Sequence, residues 1–208
     1  MCEQIKEVLE DAWKKFCVYY REKATTYQKN WRPQLNEKQN LDSHWICWNE
    51  YDLTFHIGRF FYEILSEKGF SNKEVHFEKK VDHINIDNRG YVFENKLDCL
   101  WNKLQKWPKV DMIVTQEDSC GLFLLCAEVK CFHRYEPAIH KINEDIKKLK
   151  SLKDCKIAEE VVFILFDDYF CHKRGGIVIT QIQKRLNEIK SDGITVLFCT
   201  SKESIGQI

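Results

Sequence analysis

Apolar side chains recur along this chain with two periods, and the period predicts the type of each element. Helical spacing predicts helices over residues 3–20, 53–64, 139–152 and 178–189. Apolar runs of strand length predict strands over residues 74–86, 91–93, 110–116, 122–130, 161–166 and 194–199. Helices that alternate with strands in this way predict an α/β domain with a mixed central sheet flanked by helices.

The third and fourth predicted strands are separated by a short run of turn-forming residues, which favours an antiparallel hairpin. In the register set by this turn, Ile113 lies opposite Cys126 and Asp111 lies opposite Glu128. Opposed residues point to the same face of a sheet. Strand alternation also brings Lys130 to that face, two residues beyond Glu128. The hairpin therefore predicts three charged side chains together at one end of a sheet.

An acidic residue followed two positions later by lysine is ordinarily a solvated surface feature. The chain has several other copies of this triplet, residues 145–147 among them. The copy that begins at Glu128 differs because it closes a nearly continuous apolar strand and has an aspartate facing it from the partner strand. The context of the triplet, more than the triplet itself, favours an active site.

The Pro-Lys-Val-Asp at residues 108–111 and the Glu-Val-Lys at 128–130 resemble the motif of the PD-(D/E)XK nuclease superfamily. The order of predicted elements over residues 42–198 is also similar to the α-β-β-β-α-β core of that superfamily. The resemblance implies a restriction endonuclease-like, three-layer fold. It covers a nuclease-like domain over residues 41–208 and leaves residues 1–40 as an N-terminal helical extension.

The resemblance implies a Mg²⁺-dependent hydrolase of phosphodiester bonds, with Mn²⁺ able to substitute. Carboxylate and carbonyl oxygens suit Mg²⁺, so Asp111, Glu128 and the carbonyl of Val129 are the expected ligands. Lys130 is expected to orient the attacking water or to offset charge in the transition state. In that family an acidic residue of the first helix often completes the metal site, and Glu50 is the position that fits. A carboxylate at this position also stabilises a helix N-terminus without any metal.

The implied substrate is DNA more than RNA, and the implied enzyme is an endonuclease of restriction or repair type that commonly acts as a homodimer. Two alternatives stay open. The first is a catalytically silent nuclease-like fold that serves as a nucleic-acid-binding or assembly module, and the second is a nuclease directed at RNA. The intact Asp111, Glu128 and Lys130 argue against the silent module.

The chain has 32 basic and 32 acidic residues, so its formal net charge is zero and any nucleic-acid-binding surface must be local. The basic candidates are Lys147 and Lys148 on a predicted helix and Lys173 and Arg174 in a glycine-containing loop. A lysine-rich helix is usually just a solvated face, so phosphate contact there stays open. No glycine-rich phosphate loop followed by Lys-Ser/Thr occurs in the sequence, which argues against an ATP-dependent motor.

Composition places the chain among soluble globular proteins. It has 208 residues, 44% of them hydrophobic and 31% charged, and no apolar run of membrane-spanning length. The N-terminal sequence has no signal-peptide pattern, so a cytoplasmic location is expected, with no membrane partner. Most of the 10 cysteines are then expected to be reduced thiols. Because no Cys-x-x-Cys is present, core packing is favoured over a zinc site.

The aromatic stripe of the first predicted helix allows three roles: it covers the core, mediates dimerisation or contacts substrate. Covering the core is the most common of these roles for an amphipathic helix. No chemistry is assigned to this helix.

Overall fold

The computed structural model describes residues 2–31, 50–70, 72–82, 94–116, 123–132, 139–167 and 177–200. Within these ranges the helices are α1 (Cys2–Trp31), α2 (Glu50–Glu67), α3 (Glu94–Leu104), α4 (Ile139–Asp154) and α5 (Ile177–Ser191). The strands are β1 (Lys73–Lys80), β2 (Lys109–Gln116), β3 (Phe123–Phe132), β4 (Ala158–Asp167) and β5 (Thr195–Thr200).

The five strands form one mixed sheet in the order β1-β2-β3-β4-β5. β1, β2 and β3 pair antiparallel, whereas β3, β4 and β5 pair parallel. Ile113 lies opposite Cys126, so the predicted register of the hairpin is confirmed. The predicted α/β class with a mixed sheet is confirmed as well.

Helices cover both faces of the sheet. On one face, α1 and α2 pack on side chains such as Val162 and Ile164 of β4. On the other face, α3, α4 and α5 pack on the alternate residues of the same strand, such as Val161 and Phe163. A strand that is buried on both faces is apolar at every position, which is why residues 161–166 form an uninterrupted hydrophobic run.

The aromatic stripe of α1 lies in the core. Trp13, Phe16 and Tyr20 are almost fully buried and surround the ring of Phe166 in β4. The centroid of that ring lies 5.5 Å from the centroid of Phe16 and 4.6 Å from that of Tyr20. Of the three roles open to this stripe, the structure shows that it covers the core.

Four features differ from the sequence-based expectations or extend them. Strand β1 ends at Lys80, short of the predicted end at residue 86, and the described residues 81 and 82 are not strand. Helix α1 continues to Trp31, beyond the predicted end at residue 20. Helix α3 occupies a segment for which no element was predicted. Cys99 of α3 and Cys155, after α4, form a disulfide with their Cα atoms 5.8 Å apart, which is an exception to the expectation of mostly reduced cysteines.

Some expectations fall on other parts of the chain. The predicted strand over residues 91–93 and the turn between β2 and β3 lie outside the described residues. None of the helices described here is both long enough and apolar enough to cross a membrane.

Candidate active site

The candidate site lies on β3, the central strand of the sheet. Alternation along β3 turns Val129 toward α1 and α2, while Glu128 shares the opposite face with Cys126. Glu128 is only 1% exposed. A carboxyl group so far from water is costly unless neighbouring groups compensate for it, so the surroundings of Glu128 determine its chemistry.

Asp111 of β2 is hydrogen-bonded to the backbone of β3. Its Oδ2 accepts a hydrogen bond from the backbone N–H of Val129 at 2.7 Å. Because Val129 directly follows Glu128, this bond holds the Asp111 carboxyl beside the Glu128 carboxyl. The two acidic groups that the hairpin register predicts as neighbours therefore lie together in the structure.

Both of these carboxyl groups resist ionisation. Burial raises the pKa of Asp111 to about 6, and the hydrogen bond from Val129 opposes this shift only in part. Burial, and after it the negative charge of Asp111, raises the pKa of Glu128 well above its ordinary range. A positive charge placed nearby would therefore favour the ionised form of both carboxyl groups.

Lys148 of α4 supplies part of that charge. Its Nζ donates to Glu128 Oε2 at 2.5 Å and to the backbone carbonyl of Lys109 at 2.8 Å. Burial lowers the pKa of Lys148, but the carboxyl groups of Glu128 and Asp145 outweigh burial and the net shift is upward. The other oxygen of Glu128, Oε1, is buried and has no hydrogen-bond partner among the described residues.

Lys130 lies between two helices. Its Nζ is 3.1 Å from Glu50 Oε1 at the start of α2 and 3.0 Å from Asp145 Oδ2 of α4. Burial works against the charged form of Lys130, but Asp145 and Glu50 overcome it and raise the pKa of the amine above its ordinary value. Lys130 is therefore a positioned cation and not a proton acceptor at neutral pH.

These contacts join six charged side chains in one cluster, which we call the β3 cluster: Glu50, Asp111, Glu128, Lys130, Asp145 and Lys148. The cluster has four carboxyl groups and two ammonium groups. With every group ionised, it carries an excess of two negative charges. One divalent cation would neutralise that excess.

The structure brings Asp111, Glu128 and Lys130 together as the sequence indicates, and it places Glu50 next to Lys130. The predicted nucleic-acid contacts differ among themselves. Lys147 is exposed on α4, whereas the side chain of Lys148 is only 18% exposed and is engaged with Glu128. Lys173 and Arg174 lie outside the described residues.

Sequence reasoning missed Asp145, which contacts both lysines of the β3 cluster. Its Oδ1 lies 3.4 Å from Lys148 Nζ, in addition to the contact of Oδ2 with Lys130. A signal was present in the sequence: Asp145 falls within the apolar stripe formed by Ile142, Ile146 and Leu149. A charged residue inside the buried stripe of a helix needs a partner in the core. Asp145 therefore predicts a buried cation close to α4.

A cleft of about 620 Å³ opens beside the β3 cluster. It lies between the segment that joins α3 to β2 and the exposed side of α4. Asp145 and Lys148 belong both to its lining and to the β3 cluster, while Lys106, Trp107 and Lys147 form other parts of the lining. The cleft is therefore a route by which a ligand could reach the buried charges.

The donor chemistry of the β3 cluster suits a hard divalent cation. Two carboxyl groups lie side by side, and the buried Glu128 Oε1 lacks a hydrogen-bond partner in the described ranges. Mg²⁺ commonly takes only one or two carboxylates from a protein and keeps several waters. The described residues contain no group of three or more His, Cys, Asp or Glu side chains arranged to hold a metal ion.

Comparison with known proteins gives no relative. No protein-family model, no curated protein and no solved structure matches this chain.

Proposed function

We propose that this protein is a metal-dependent nuclease that hydrolyses phosphodiester bonds of DNA by internal cleavage. The observation that carries the proposal is the buried pair of Asp111 and Glu128, with the cation Lys130 two residues farther along the same strand. The resemblance of the two sequence segments to the PD-(D/E)XK superfamily supports the same chemistry. The proposal also includes the restriction endonuclease-like fold, membership of the PD-(D/E)XK superfamily and a homodimeric state.

Asp111, Glu128 and the carbonyl of Val129 are the proposed ligands of Mg²⁺ or Mn²⁺. When bound, such a cation supplies positive charge to the scissile phosphate. The raised pKa values of Asp111 and Glu128 support this role, because a site that disfavours its own negative charges gains most from a cation. Glu50 is the remaining proposed ligand, and in the structure its Oε1 pairs with Lys130.

Lys130 is the proposed catalytic cation. Asp145 and Glu50 hold its ammonium from two sides, so its position does not depend on substrate. A charge that is already in place when the phosphate becomes more negative costs no reorganisation during the reaction. Lys130 therefore stabilises the transition state or orients the attacking water, and its high pKa keeps it charged.

Lys148 and Asp145 are proposed positioning residues. Lys148 compensates Glu128 through one oxygen and leaves the other oxygen for the metal. Asp145 joins Lys148 to Lys130, so a displacement of α4 would disturb both lysines. This arrangement explains why α4, whose pattern is otherwise that of an ordinary amphipathic helix, has Asp145 and Lys148 on the side that faces β3.

The proposal is tested by cleavage of supercoiled plasmid with Mg²⁺ or Mn²⁺ present. Wild type is compared with Lys130→Ala and with Glu128→Gln, all purified by the same procedure. Lys184→Ala, which removes an exposed lysine of α5, is the matched control. Cutting by wild type and Lys184→Ala alone supports the nuclease, and equal cutting by all four indicates a contaminant.

A second measurement separates metal binding from turnover. Titration of Mn²⁺ is followed by electron paramagnetic resonance for wild type and Glu128→Gln, without nucleic acid. We expect wild type to bind the ion and the variant to bind it at least about tenfold more weakly. Binding of Mn²⁺ without cleavage of plasmid, single strand or RNA would instead favour the silent binding module.

A further inference from the structure

The cleft beside the β3 cluster is net basic, because its lining, among the described residues, has four lysines (Lys106, Lys109, Lys147 and Lys148) and two acidic residues (Glu144 and Asp145). Lys106 lies in the segment between α3 and β2, and Lys147 lies on α4 opposite that segment. Both side chains are exposed, unlike Lys148, which is turned inward to Glu128. Cations on two facing walls suit an anionic chain that passes between them, because each phosphate contact releases a condensed counterion.

Trp107 lines one wall of the same cleft and packs against Trp101 of α3. The ring centroids of Trp101 in α3 and Trp107 in the following segment are 4.9 Å apart, with 43° between the ring planes. Trp107 lines the cleft, and Trp101 is 40% exposed. A single exposed aromatic side chain is ordinary on a protein surface, but this one packs on a residue that lines a cleft with several lysines, and unpaired bases stack on such aromatic rings.

We infer that this cleft binds an unpaired nucleic-acid strand, with Lys106 and Lys147 contacting phosphates and the Trp101–Trp107 pair stacking against a base. The inference rests on the proposed nuclease and names its substrate: a strand with at least one unpaired base near the scissile phosphate.

The aromatic pair distinguishes an unpaired strand from an intact duplex. Bases inside a duplex are already stacked on their neighbours, so an indole on a groove wall gains little from them. An unpaired base offers a free face, and stacking on an aromatic side chain contributes about 1–3 kcal/mol per base whatever the base is. The cleft also shares Asp145 and Lys148 with the β3 cluster, so a strand held there passes beside the proposed cation site.

The test is fluorescence anisotropy of end-labelled oligonucleotides in EDTA, so that binding is measured without cleavage. Single-stranded DNA, single-stranded RNA of the same sequence and a blunt DNA duplex are titrated with the full-length protein. We expect single-stranded DNA or RNA, or both, to bind at least about tenfold more tightly than the duplex. The comparison of DNA with RNA identifies the sugar that the cleft accepts.

Two variants probe the two walls. Lys106→Glu with Lys147→Glu is expected to lower single-strand affinity about tenfold or more and to flatten its dependence on salt. Its control is Lys23→Glu with Lys184→Glu, which has the same change of charge at exposed positions outside the cleft. Trp101→Ala is expected to lower single-strand affinity about tenfold, with Phe55→Ala as the exposed aromatic control on α2.

Several results would overturn the inference. They are a duplex bound as tightly as the single strand, a Trp101→Ala variant with wild-type affinity, and control variants that lose as much affinity as the cleft variants. If the charge-reversed protein fails to fold by circular dichroism, Lys106→Gln with Lys147→Gln repeats the test with smaller changes. Binding is measured in EDTA, and cleavage is measured separately with Mg²⁺ or Mn²⁺. A protein that binds the single strand in EDTA but cuts no nucleic acid when metal is present overturns the nuclease and leaves the assignment of the cleft standing.

Discussion

Lys130 is a residue whose removal tests the proposed chemistry directly. We expect Lys130→Ala to slow DNA cleavage about a hundredfold or more, because a preorganised positive charge at the phosphate is lost. Single-turnover cleavage at saturating enzyme measures the effect. Lys68→Ala is the control: it also removes a lysine from an ion pair, with Asp11 at 3.0 Å, but on the surface formed by α1 and α2. A Lys130→Ala protein that cuts at the wild-type rate would remove Lys130 from the mechanism.

Asp111 makes stability depend on pH. Because its pKa is raised from 3.8 to about 6, the folded protein holds this proton more tightly than the unfolded chain does. The resulting stabilisation is complete below the unfolded pKa and is lost as the pH rises through about 6. Asp111→Asn keeps an acceptor for the Val129 N–H but has no proton to lose.

We therefore expect Asp111→Asn to gain stability relative to wild type as the pH rises from about 4 to about 7, by up to about 3 kcal/mol. Urea unfolding in metal-free buffer at several pH values measures the difference. The same variant is expected to lose Mn²⁺ binding, which separates its effect from a general improvement of the fold. Parallel pH profiles for the two proteins would contradict the expectation.

The residues of the site differ in how far the sequence could predict them. Asp111, Glu128 and Lys130 followed from strand alternation and one turn, because the period of a strand is rigid and a short turn leaves little freedom of register. The partner role of Lys148 and the position of Asp145 depend on which side of α4 meets β3. The side of α4 that packs on β3 is determined by tertiary contacts. The sequence therefore indicated these two residues only as parts of a lysine-rich helix.

At the scale of elements, long periodic segments were predictable and a short polar helix was not. Helix α4 and strand β4 were expected close to their observed positions because each has an unbroken apolar pattern. Helix α3 has Leu97, Leu100 and Leu104 at helical spacing, but it spans only 11 residues, most of them polar. In so short a segment the polar residues obscure the helical periodicity of the leucines. Packing against α4 stabilises this helix, and that contact cannot be predicted from the local sequence.

The contact between α2 and β1 depends on Gly58. A Cβ at this position would overlap the ring of Phe77 in β1. Replacing glycine by alanine inside a helix ordinarily stabilises it by about 1 kcal/mol. We expect Gly58→Ala to show that gain only when Phe77→Ala is also present, and to lose it in the wild-type background.

A double-mutant cycle measured by urea unfolding gives the coupling between the two positions. We expect an interaction of about 1 kcal/mol or more, since the added methyl group and the ring compete for the same space. Additive effects would show that the ring of Phe77 moves aside at no cost. The backbone of Gly58 is not in the left-handed region, so the result reports on packing alone.

At the scale of the whole molecule, the disulfide between Cys99 and Cys155 joins segments that are 56 residues apart. Closing a loop of this length in the unfolded chain corresponds to about 4 kcal/mol in the chain-entropy description. We expect Cys99→Ser, or reduction of wild type, to lower the free energy of unfolding by an amount of this order. Urea unfolding with and without reductant measures it, and reduced wild type is the matched control for the variant. Identical unfolding curves in the two conditions would contradict the prediction.

Net charge describes this molecule poorly. The whole chain is formally neutral, yet the β3 cluster has an excess of carboxyl groups and the cleft beside it has exposed lysines on both walls. Composition averages over such neighbouring regions of opposite sign. The sequence could therefore indicate that any nucleic-acid surface is local, but it could not say where the fold collects the charge.

The strands lie in the sheet in the same order as in the chain, from β1 to β5. Each new strand can therefore join the edge left by the strand before it, as the polypeptide emerges during synthesis. The β2–β3 hairpin closes a short loop and can form early, whereas β1 pairs with β2 across a connection that contains α3, and the parallel pairs must wait for α4 and α5. Helix α1 leaves the ribosome before the strands, so Phe16 and Tyr20 cannot pack against Phe166 until β4 has been made. A nascent chain that ends before β4 therefore exposes the part of α1 that Phe166 covers in the folded protein.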